Sequence, residues 1–249
     1  MTTQTSTQAT TQQIAIICAM EVELNSIIKI LNLNTISIKN TKFTHYIAQY
    51  HNIELILLLC GIGKVNAAIS TQYLLDTYSL KHIINVGVAG GLTNSLNFGD
   101  VVVATDLVYH DVDLSAFSIP KGKISSLDTL SFPCDTKLVN LTLNITKTQQ
   151  LPYKVSSGII ASGDQFIDDK ITATNIHTTF NAIACEMEGA AIAHTCYLAQ
   201  QSCLIIRSLS DMAGSNDSSA MHSFNELKIM ASDRASTIIE YLLTQLINT

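Results

Sequence analysis

Acidic side chains stand where apolar, strand-like runs of the sequence end. Glu186 and Glu188 flank Met187 in the stretch ACEMEGAAIAH, Asp211 follows the run CLIIRSLS, and Glu23 comes soon after QIAIIC. A carboxylate beside a buried strand is costly unless something binds it. Such groups can act as general acid or base, or can accept hydrogen bonds from ligand hydroxyls. We therefore take these carboxyl groups as the candidates for chemistry.

Asp211 and Glu23 suit an acid–base pair, although each also has a structural interpretation. To act as a general acid at neutral pH, Asp211 needs its pKa raised about three units above the ordinary value of about 3.9, equivalent to about 4 kcal/mol. Burial or a neighbouring negative charge raises a carboxyl pKa in this way. Glu23 could activate water as a general base. The alternatives are a capping role for Asp211 and a first-turn interaction of Glu23 with the helix dipole.

Arg207 lies within an apolar run, and a buried guanidinium requires an acidic partner. Glu186 and Glu188 are the candidate partners, in either a structural ion pair or a ligand site. Glu188 alone could be an ordinary residue of a helix N-terminus, but Glu186 two positions earlier makes a purely solvated explanation less natural. The only other arginine in the chain is Arg234.

Two glycine-rich segments follow other strand-like runs. GIGK at 61–64 and GVAGG at 87–91 let the backbone approach a ligand closely, or form plain tight turns. Neither matches the phosphate-binding patterns GxxxxGK[ST] and GxGxxG. HDVD at 110–113 is the only dense group of possible metal ligands and a weak candidate. We expect neither a metal nor a cofactor.

Apolar runs of strand length alternate with amphipathic stretches of helix length. This alternation predicts an α/β fold, a three-layer α/β/α sandwich whose paired early strands make the central sheet mixed. We expect strands at 13–18, 43–50, 53–60, 82–86, 101–108, 155–161, 182–185 and 203–208, helices at 21–31, 64–78 and 188–199, a long loop at 117–133, and a last helix opened by the capping-box pattern SFNE at 223–226. Ligands bind beyond the carboxyl ends of strands in such sheets, where the acidic and glycine-rich elements converge.

Composition bounds the class of protein. With 249 residues, 47% hydrophobic and 14% charged, the chain fits one well-buried domain at 13–249 after a polar tail at 1–12. A net charge of −6 argues against nucleic-acid partners. The tail has no apolar core of a secretory signal, no run is long enough to cross a membrane, and the six cysteines form no CxxC pair. We expect a cytoplasmic protein with buried thiols and no membrane partner.

Together these pieces resemble the 5′-methylthioadenosine/S-adenosylhomocysteine nucleosidases, members of the nucleoside phosphorylase superfamily. The matching segments are AMEVE (19–23), GIGKVNAA (61–68), NVGVAGGL (85–92), HDVDLSAF (110–117), SGDQFI (162–167), EMEGAAIAH (186–194) and RSLSD (207–211). They run in family order, and the resemblance extends from residue 14 to about residue 245, so it leaves only the tail uncovered.

The resemblance implies roles at the reacting centre. Asp211 is similar to the acid that protonates adenine N7, with Ser210 orienting it, and Glu23 to the base that activates the attacking water. Because a whole nucleoside separates them, we expect their carboxyl groups to lie at least as far apart as an inverting pair, about 6.5–9.5 Å. Glu188 is similar to the residue that grips the ribose hydroxyls, with Met187 against the sugar and Arg207 nearby. The stretch Glu186-Met187-Glu188 therefore resembles a ribose clamp.

The same resemblance implies the rest of the substrate pocket. Phe166 would stack on adenine while the backbone of Ile167 reads its Watson–Crick edge. Further matching positions line the 5′-thioalkyl pocket (Met20, Ile62 and Phe224), approach the substrate (Ala89, Gly90 and Ala213), or reach into the site of a neighbouring subunit (Leu114 and Phe117). The last pair implies a homodimer.

The implied activity is hydrolysis of the N-glycosidic bond of 5′-methylthioadenosine and S-adenosylhomocysteine in methionine salvage, releasing adenine. Val88 stands where many family members carry serine, which bears on substrate preference, and 6-amino-6-deoxyfutalosine stays open as a further substrate. A purine nucleoside phosphorylase is the nearest alternative, but it normally needs arginine forks for phosphate. A catalytically inactive nucleoside-binding protein of the same fold is the other.

Overall fold

The computed structural model describes residues 12–38, 43–214 and 219–247, with the side chains of 219–226 outside the description. The strands are β1 (Gln12–Cys18), β2 (Thr35–Ile38), β3 (Thr44–Tyr50), β4 (Ile53–Leu59), β5 (Leu80–Gly91), β6 (Val101–Tyr109), β7 (Phe132–Pro133), β8 (Val155–Ser162), β9 (Ala182–Glu186) and β10 (Cys203–Met212). The α-helices are α1 (Glu21–Ile30), α2 (Lys64–Thr77), α3 (Thr136–Thr148), α4 (Lys170–Phe180), α5 (Gly189–Leu198) and α6 (Ser219–Leu246).

The ten strands found among the described residues belong to one mixed sheet. Its order is β10-β6-β8-β9-β5-β1-β4-β3-β2, with β7 beside β6, and β10 also pairs with β5. The pairing of β10 with β5 closes β5, β10, β6, β8 and β9 into a ring, while β1 to β4 extend from it as an open sheet. Strands β1, β4, β5 and β10 run parallel to one another, so their carboxyl ends meet at one rim.

The central strands have uniformly apolar sequences because both faces of the sheet are covered. Ile14–Cys18 of β1 and Leu55–Leu58 of β4 are completely buried, a pattern typical of parallel strands between helical layers. Helix α1 packs on α6, and α2 packs on α5. The expected three-layer α/β/α fold with a central mixed sheet is confirmed.

Several predicted boundaries were wrong, and three of these errors fall at the rim. β5 continues through Gly87–Gly91, β10 includes Ser210 and Asp211, and Glu186 is the last residue of β9. Glycines normally weaken a strand, but Gly90 and Gly91 here pair with both β9 and β10, whose backbones approach closely. Glu186, Ser210 and Asp211 are therefore held on strands instead of loops.

Other elements were missed or shortened. The sequence patterns did not predict β2, α3 or α4, and the expected loop at 117–133 begins in a short 3₁₀ helix (Ser115–Phe117) and ends in β7. The capping-box pattern at 223–226 lies outside the described side chains. All six cysteines are buried and free, as expected for thiols in apolar runs. Among the described residues, no helix combines the length and apolar character needed to cross a membrane.

Candidate active site

A cavity of about 510 Å³ lies at the carboxyl rim of the sheet, within the size range of small-molecule sites. Segments that follow β1, β4, β8 and β9, together with β5 and β10 themselves, form its walls. Of the residues that the family resemblance assigns to substrate, those lining it are Met20, Glu23, Ile62, Ala89, Gly90, Phe166, Ile167, Glu186, Met187, Glu188, Ser210, Asp211 and Ala213. One cavity therefore brings together both candidate catalytic carboxyl groups.

Asp211 reaches the cavity because β10 is irregular at Ser210. Leu209 pairs with Ala89 and Asp211 with the next residue, Gly90, so Ser210 is an extra residue in the register. Such a bulge re-aims side chains, as is common beside active sites. The Ser210 hydroxyl donates to Asp211 Oδ1 over 2.8 Å. Burial raises the pKa of Asp211, although the Ser210 hydrogen bond opposes this shift.

Glu23, in the first turn of α1, is held by backbone donors from two elements. Its Oε2 accepts hydrogen bonds from the N–H groups of Ala19 and Met20, both over 2.9 Å, and its Oε1 accepts one from Val88 N–H over 3.0 Å. Burial raises the pKa of Glu23, and the positive charge of Arg207 together with the three N–H donors opposes that rise. The carboxylate is thus fixed in orientation at the cavity wall.

The carboxylate of Glu186 is hydrogen-bonded to several groups of the protein itself. Its carboxylate accepts hydrogen bonds from the Ser162 hydroxyl, from the N–H groups of Glu188 and Gly189, and from Arg207 Nε and Nη2 over 3.2 and 2.5 Å. Burial alone would raise the pKa of Glu186, but Arg207 and these donors outweigh it and hold the pKa below its ordinary value. Glu186 therefore stays ionised, and both of its carboxylate oxygens accept hydrogen bonds from the protein.

Glu188 has the opposite electrostatic environment. Its Oε1 accepts a hydrogen bond from Gly63 N–H over 2.8 Å, while its Oε2 lies 3.8 Å from Arg207 Nη2. Burial, with the charge of Glu186 second, raises the pKa of Glu188 to about 8. Of the two glutamates, Glu188 is the one with acceptor capacity left for a ligand.

Arg207 lies behind the cavity wall. It is 1% exposed and does not line the cavity, because its guanidinium faces Glu186 and donates to Asn85 Oδ1 over 2.6 Å. Asn85 in turn donates to the Ile17 carbonyl over 2.9 Å. The hydrogen bonds and ion pairs of Arg207 are thus with Glu186, Glu188, Asn85 and the Ile206 carbonyl, and a direct contact with substrate stays a prediction.

Residues 13–247 match the phosphorylase superfamily. The chain is 40% identical over 235 residues to a 5′-methylthioadenosine/S-adenosylhomocysteine nucleosidase of Staphylococcus carnosus, covering 94% of this chain and all of that protein. The chain belongs to this nucleosidase family of the phosphorylase superfamily.

Two further relatives of the nucleosidase family are informative. The aminodeoxyfutalosine nucleosidase of Campylobacter jejuni is 38% identical over 202 residues, 81% of this chain and 86% of that protein. The crystal structure of the Helicobacter pylori 5′-methylthioadenosine/S-adenosylhomocysteine nucleosidase has a TM-score of 0.89 and 31% identity, covering 94% of this chain and 99% of that one. The family resemblance inferred from the motifs is confirmed.

Leu114 and Phe117 were assigned to the site of a neighbouring subunit, and that assignment stays a prediction. Leu114 and Phe117 do not line the cavity, and Phe117 is 76% exposed. The side chain of Phe224 lies outside the described residues. The cavity walls also include Ala19, Gln165 and Cys185, to which no role was given. Gln165 lies within the matched segment SGDQFI, directly before Phe166. That position was the feature of the sequence from which its place in the cavity wall could have been predicted.

Within the part of the chain that the structure describes, no group of three or more acidic, histidine or cysteine side chains is arranged to hold a metal ion. In HDVD, Asp111 bonds to Lys64 and Asp113 to the backbone of Ser115.

Proposed function

We propose that the chain hydrolyses the N-glycosidic bond of 5′-methylthioadenosine and S-adenosylhomocysteine, releasing adenine and the 5-thioribose product. The observation that carries this proposal is that Asp211 and Glu23, from β10 and α1, line one cavity of nucleoside size. Similarity to the Campylobacter jejuni aminodeoxyfutalosine nucleosidase supports 6-amino-6-deoxyfutalosine as a further substrate.

Asp211 serves as the general acid. Adenine is a poor leaving group until its N7 accepts a proton, and the ribose gains oxocarbenium character as the bond breaks. A buried carboxyl group with a raised pKa keeps its proton closer to neutral pH and can deliver it. The Ser210 hydroxyl on Oδ1 leaves Oδ2, which lies on the Gly90 side, for the purine.

Glu23 serves as the general base for the attacking water. Three backbone N–H groups fix its carboxylate, so the water it orients approaches the sugar from a constant direction. A base whose pKa is raised toward the working pH takes a proton more readily than an ordinary carboxylate. The separation of Asp211 and Glu23 by at least about 6.5 Å stays a prediction.

Glu188 serves as the ribose clamp, and Glu186 supports it. The carboxylate of Glu186 already accepts hydrogen bonds from Ser162, Arg207 and backbone N–H groups. The hydroxyl groups of ribose therefore bond to Glu188 instead. Adenine lies against Phe166 and Ile167, and the 5′-thio group lies toward the apolar side chains of Met20 and Ile62. Phe224 is proposed for the same 5′ side from the family resemblance alone.

A homodimer is the proposed assembly, and the cytoplasm is the proposed location. Leu114 and Phe117 would enter the partner's site, in line with the high exposure of Phe117. Helices α2 and α5, which pack on each other, also present exposed apolar side chains, among them Val65 at 70% and Leu198 at 63%. Apolar side chains gathered on two adjacent helices are typical of an interface.

The two alternative activities are less well supported. Phosphorolysis needs a phosphate site, but Arg207 is bound to Glu186 and Arg234 stacks on the Tyr153 ring 4.8 Å away. The chain has no further arginine for a phosphate fork. An inactive binding protein would be expected to lack the acid or the base, and both Asp211 and Glu23 are present.

Replacing Asp211 by Asn tests the assigned acid. We expect kcat to fall by roughly 10²–10⁴-fold, because the amide cannot deliver a proton to N7, while 5′-methylthioadenosine still binds. Adenine release measures turnover and calorimetry measures binding. Asp233→Asn, which alters an aspartate paired with Ser26 and Lys29 outside the cavity, is the matched control. Near-normal turnover of Asp211→Asn would reject the assignment.

A further inference from the structure

Three motif residues without a role in the chemistry meet beside the cavity. Lys64 Nζ lies 2.6 Å from Asp111 Oδ2 and 3.8 Å from Asp164 Oδ2. The N–H of Asp164 donates to the same Asp111 Oδ2 over 2.9 Å. The three side chains come from the start of α2, the end of β6 and the end of β8, so one ammonium group joins three separate segments.

The backbone at the start of α2 is joined to the same segments. Lys64 N–H donates to Asp164 Oδ1 over 2.8 Å, and Gly63 N–H donates to Glu188 Oε1 over 2.8 Å. The first N–H groups of a helix have no partner within the helix, and its dipole favours negative charge there. Asp164 and Glu188 therefore supply from other elements the acceptors that α2 lacks.

Two of the three joined segments carry a residue of the proposed nucleoside site. Ile62 and Gly63 directly precede Lys64, and Phe166 lies two positions after Asp164. The fit between these segments is close: a side chain at Gly163 would collide with the His110 ring, and one at Gly63 would come within 3.1 Å of Asp164 Oδ1. A shift of the β8–α4 segment relative to α2 would therefore move the adenine side of the cavity relative to the ribose side.

We propose that Lys64 is a positioning residue, whose ion pairs with Asp111 and Asp164 hold the adenine-binding segment and the Glu188 clamp at a fixed separation. The inference rests on the proposed nucleosidase function. Isolated surface ion pairs contribute little, but the side chains of Lys64 and Asp111 are 22% and 24% exposed. The Asp164 side chain is 48% exposed, and its carboxylate and backbone N–H join the same network. In this scheme Lys64 contacts neither the proposed acid Asp211 nor the proposed base Glu23, and it does not contact the bond that breaks.

The test compares Lys64→Met, Lys64→Arg, Asp111→Asn and the double variant Lys64→Met/Asp111→Asn. Lys29→Met is the control, because it removes an ion pair of 2.9 Å with Asp233 on the α1–α6 side of the protein. Steady-state kinetics with 5′-methylthioadenosine give kcat and KM, and thermal unfolding gives the stability of each variant. The wild-type rate measured alongside tests the nucleosidase function separately.

We expect Lys64→Met and Asp111→Asn each to raise KM roughly tenfold with kcat within about threefold of wild type, since binding geometry is lost and the reacting groups remain. The double variant should be no worse than either single variant, and Lys64→Arg should recover most of the loss. An active wild type with unchanged KM in Lys64→Met, or additive losses in the double variant, would overturn the proposal. If Lys64→Met does not fold, the single variants Lys64→Arg and Asp111→Asn are compared instead. A KM in Asp111→Asn that is unchanged from wild type then overturns the proposal.

Discussion

At the scale of single residues, two glutamates two positions apart have opposite protonation behaviour. Arg207 and several donors keep Glu186 ionised, whereas burial and the charge of Glu186 raise the pKa of Glu188 to about 8. The sequence could identify both carboxyl groups and their shared cation. It could not identify which of them Arg207 binds, because that depends on distances of 2.5 and 3.8 Å between side chains from different strands and loops.

The raised pKa of Glu188 predicts a pH-dependent stability. The folded protein keeps a proton on Glu188 that the unfolded chain releases above its ordinary pKa of 4.5, so the unfolded state binds fewer protons between pH 4.5 and about 8. The free energy of unfolding of the wild type, relative to Glu188→Gln, should therefore fall as pH rises through this window, by at most about 1.4 kcal/mol per pH unit.

Urea unfolding of both proteins without ligand at several pH values measures this difference. Glutamine is a suitable reference because it resembles the protonated side chain and does not titrate. A difference that stayed constant with pH, or that grew as pH rose, would contradict the assigned shift.

At the scale of elements, the site depends on strands that continue past the point where their sequences suggest an end. β5 runs on through its glycines, and β10 carries a bulge at Ser210 that places Asp211 beside Gly90. The rim itself was predictable from the acidic and glycine-rich residues that follow apolar runs. The bulge was not, because it arises from pairing between β10 and β5, more than a hundred residues apart in the chain.

Gly87 in β5 should be indispensable for a steric reason. A Cβ there would lie 2.5 Å from Glu23 Oε1 and 3.2 Å from Arg207 Nη1, so Gly87→Ala must displace the proposed base. We expect kcat to fall roughly 10²-fold, the effect typical of a misplaced catalytic group. Kinetics of adenine release provide the measurement.

Gly158→Ala in β8 is the matched control for Gly87→Ala. Its new Cβ would meet the end of the Ile183 side chain, at 2.7 Å from Cδ1, and no catalytic group. Equal losses of kcat in the two variants would mean that strand distortion, and not the displacement of Glu23, causes the effect.

At the scale of the whole molecule, the fold follows from the alternation of apolar strands and helices, which predicted the layers and the mixed sheet. The closed ring of β5, β10, β6, β8 and β9 could not be predicted from the sequence pattern. Periodicity indicates which residues of a strand are buried, but not which strands it pairs with. The proposed dimer also concerns the whole molecule. Leu114 and Phe117 lie outside the cavity of their own chain, so they would contribute to a site only through a partner.

The proposed dimer predicts that Leu198→Glu weakens association and activity together. Burying a carboxylate at the α2–α5 surface is unfavourable, and loss of the partner withholds Leu114 and Phe117 from the site. Sedimentation velocity and adenine release over a range of protein concentrations measure the two effects. Ile36→Glu, at an exposed apolar residue of β2, is the control. A fully active Leu198→Glu monomer would contradict the proposed role of the partner.

The central claim is that water, and not phosphate, accepts the ribosyl group. The most direct measurement is adenine release from 5′-methylthioadenosine in phosphate-free buffer prepared with oxygen-18 water, followed by mass spectrometry of the thioribose product. We predict full activity without phosphate and incorporation of the label at C1, because Glu23 activates water and the chain lacks a free arginine fork. A strict requirement for phosphate, with formation of the sugar phosphate, would contradict the account.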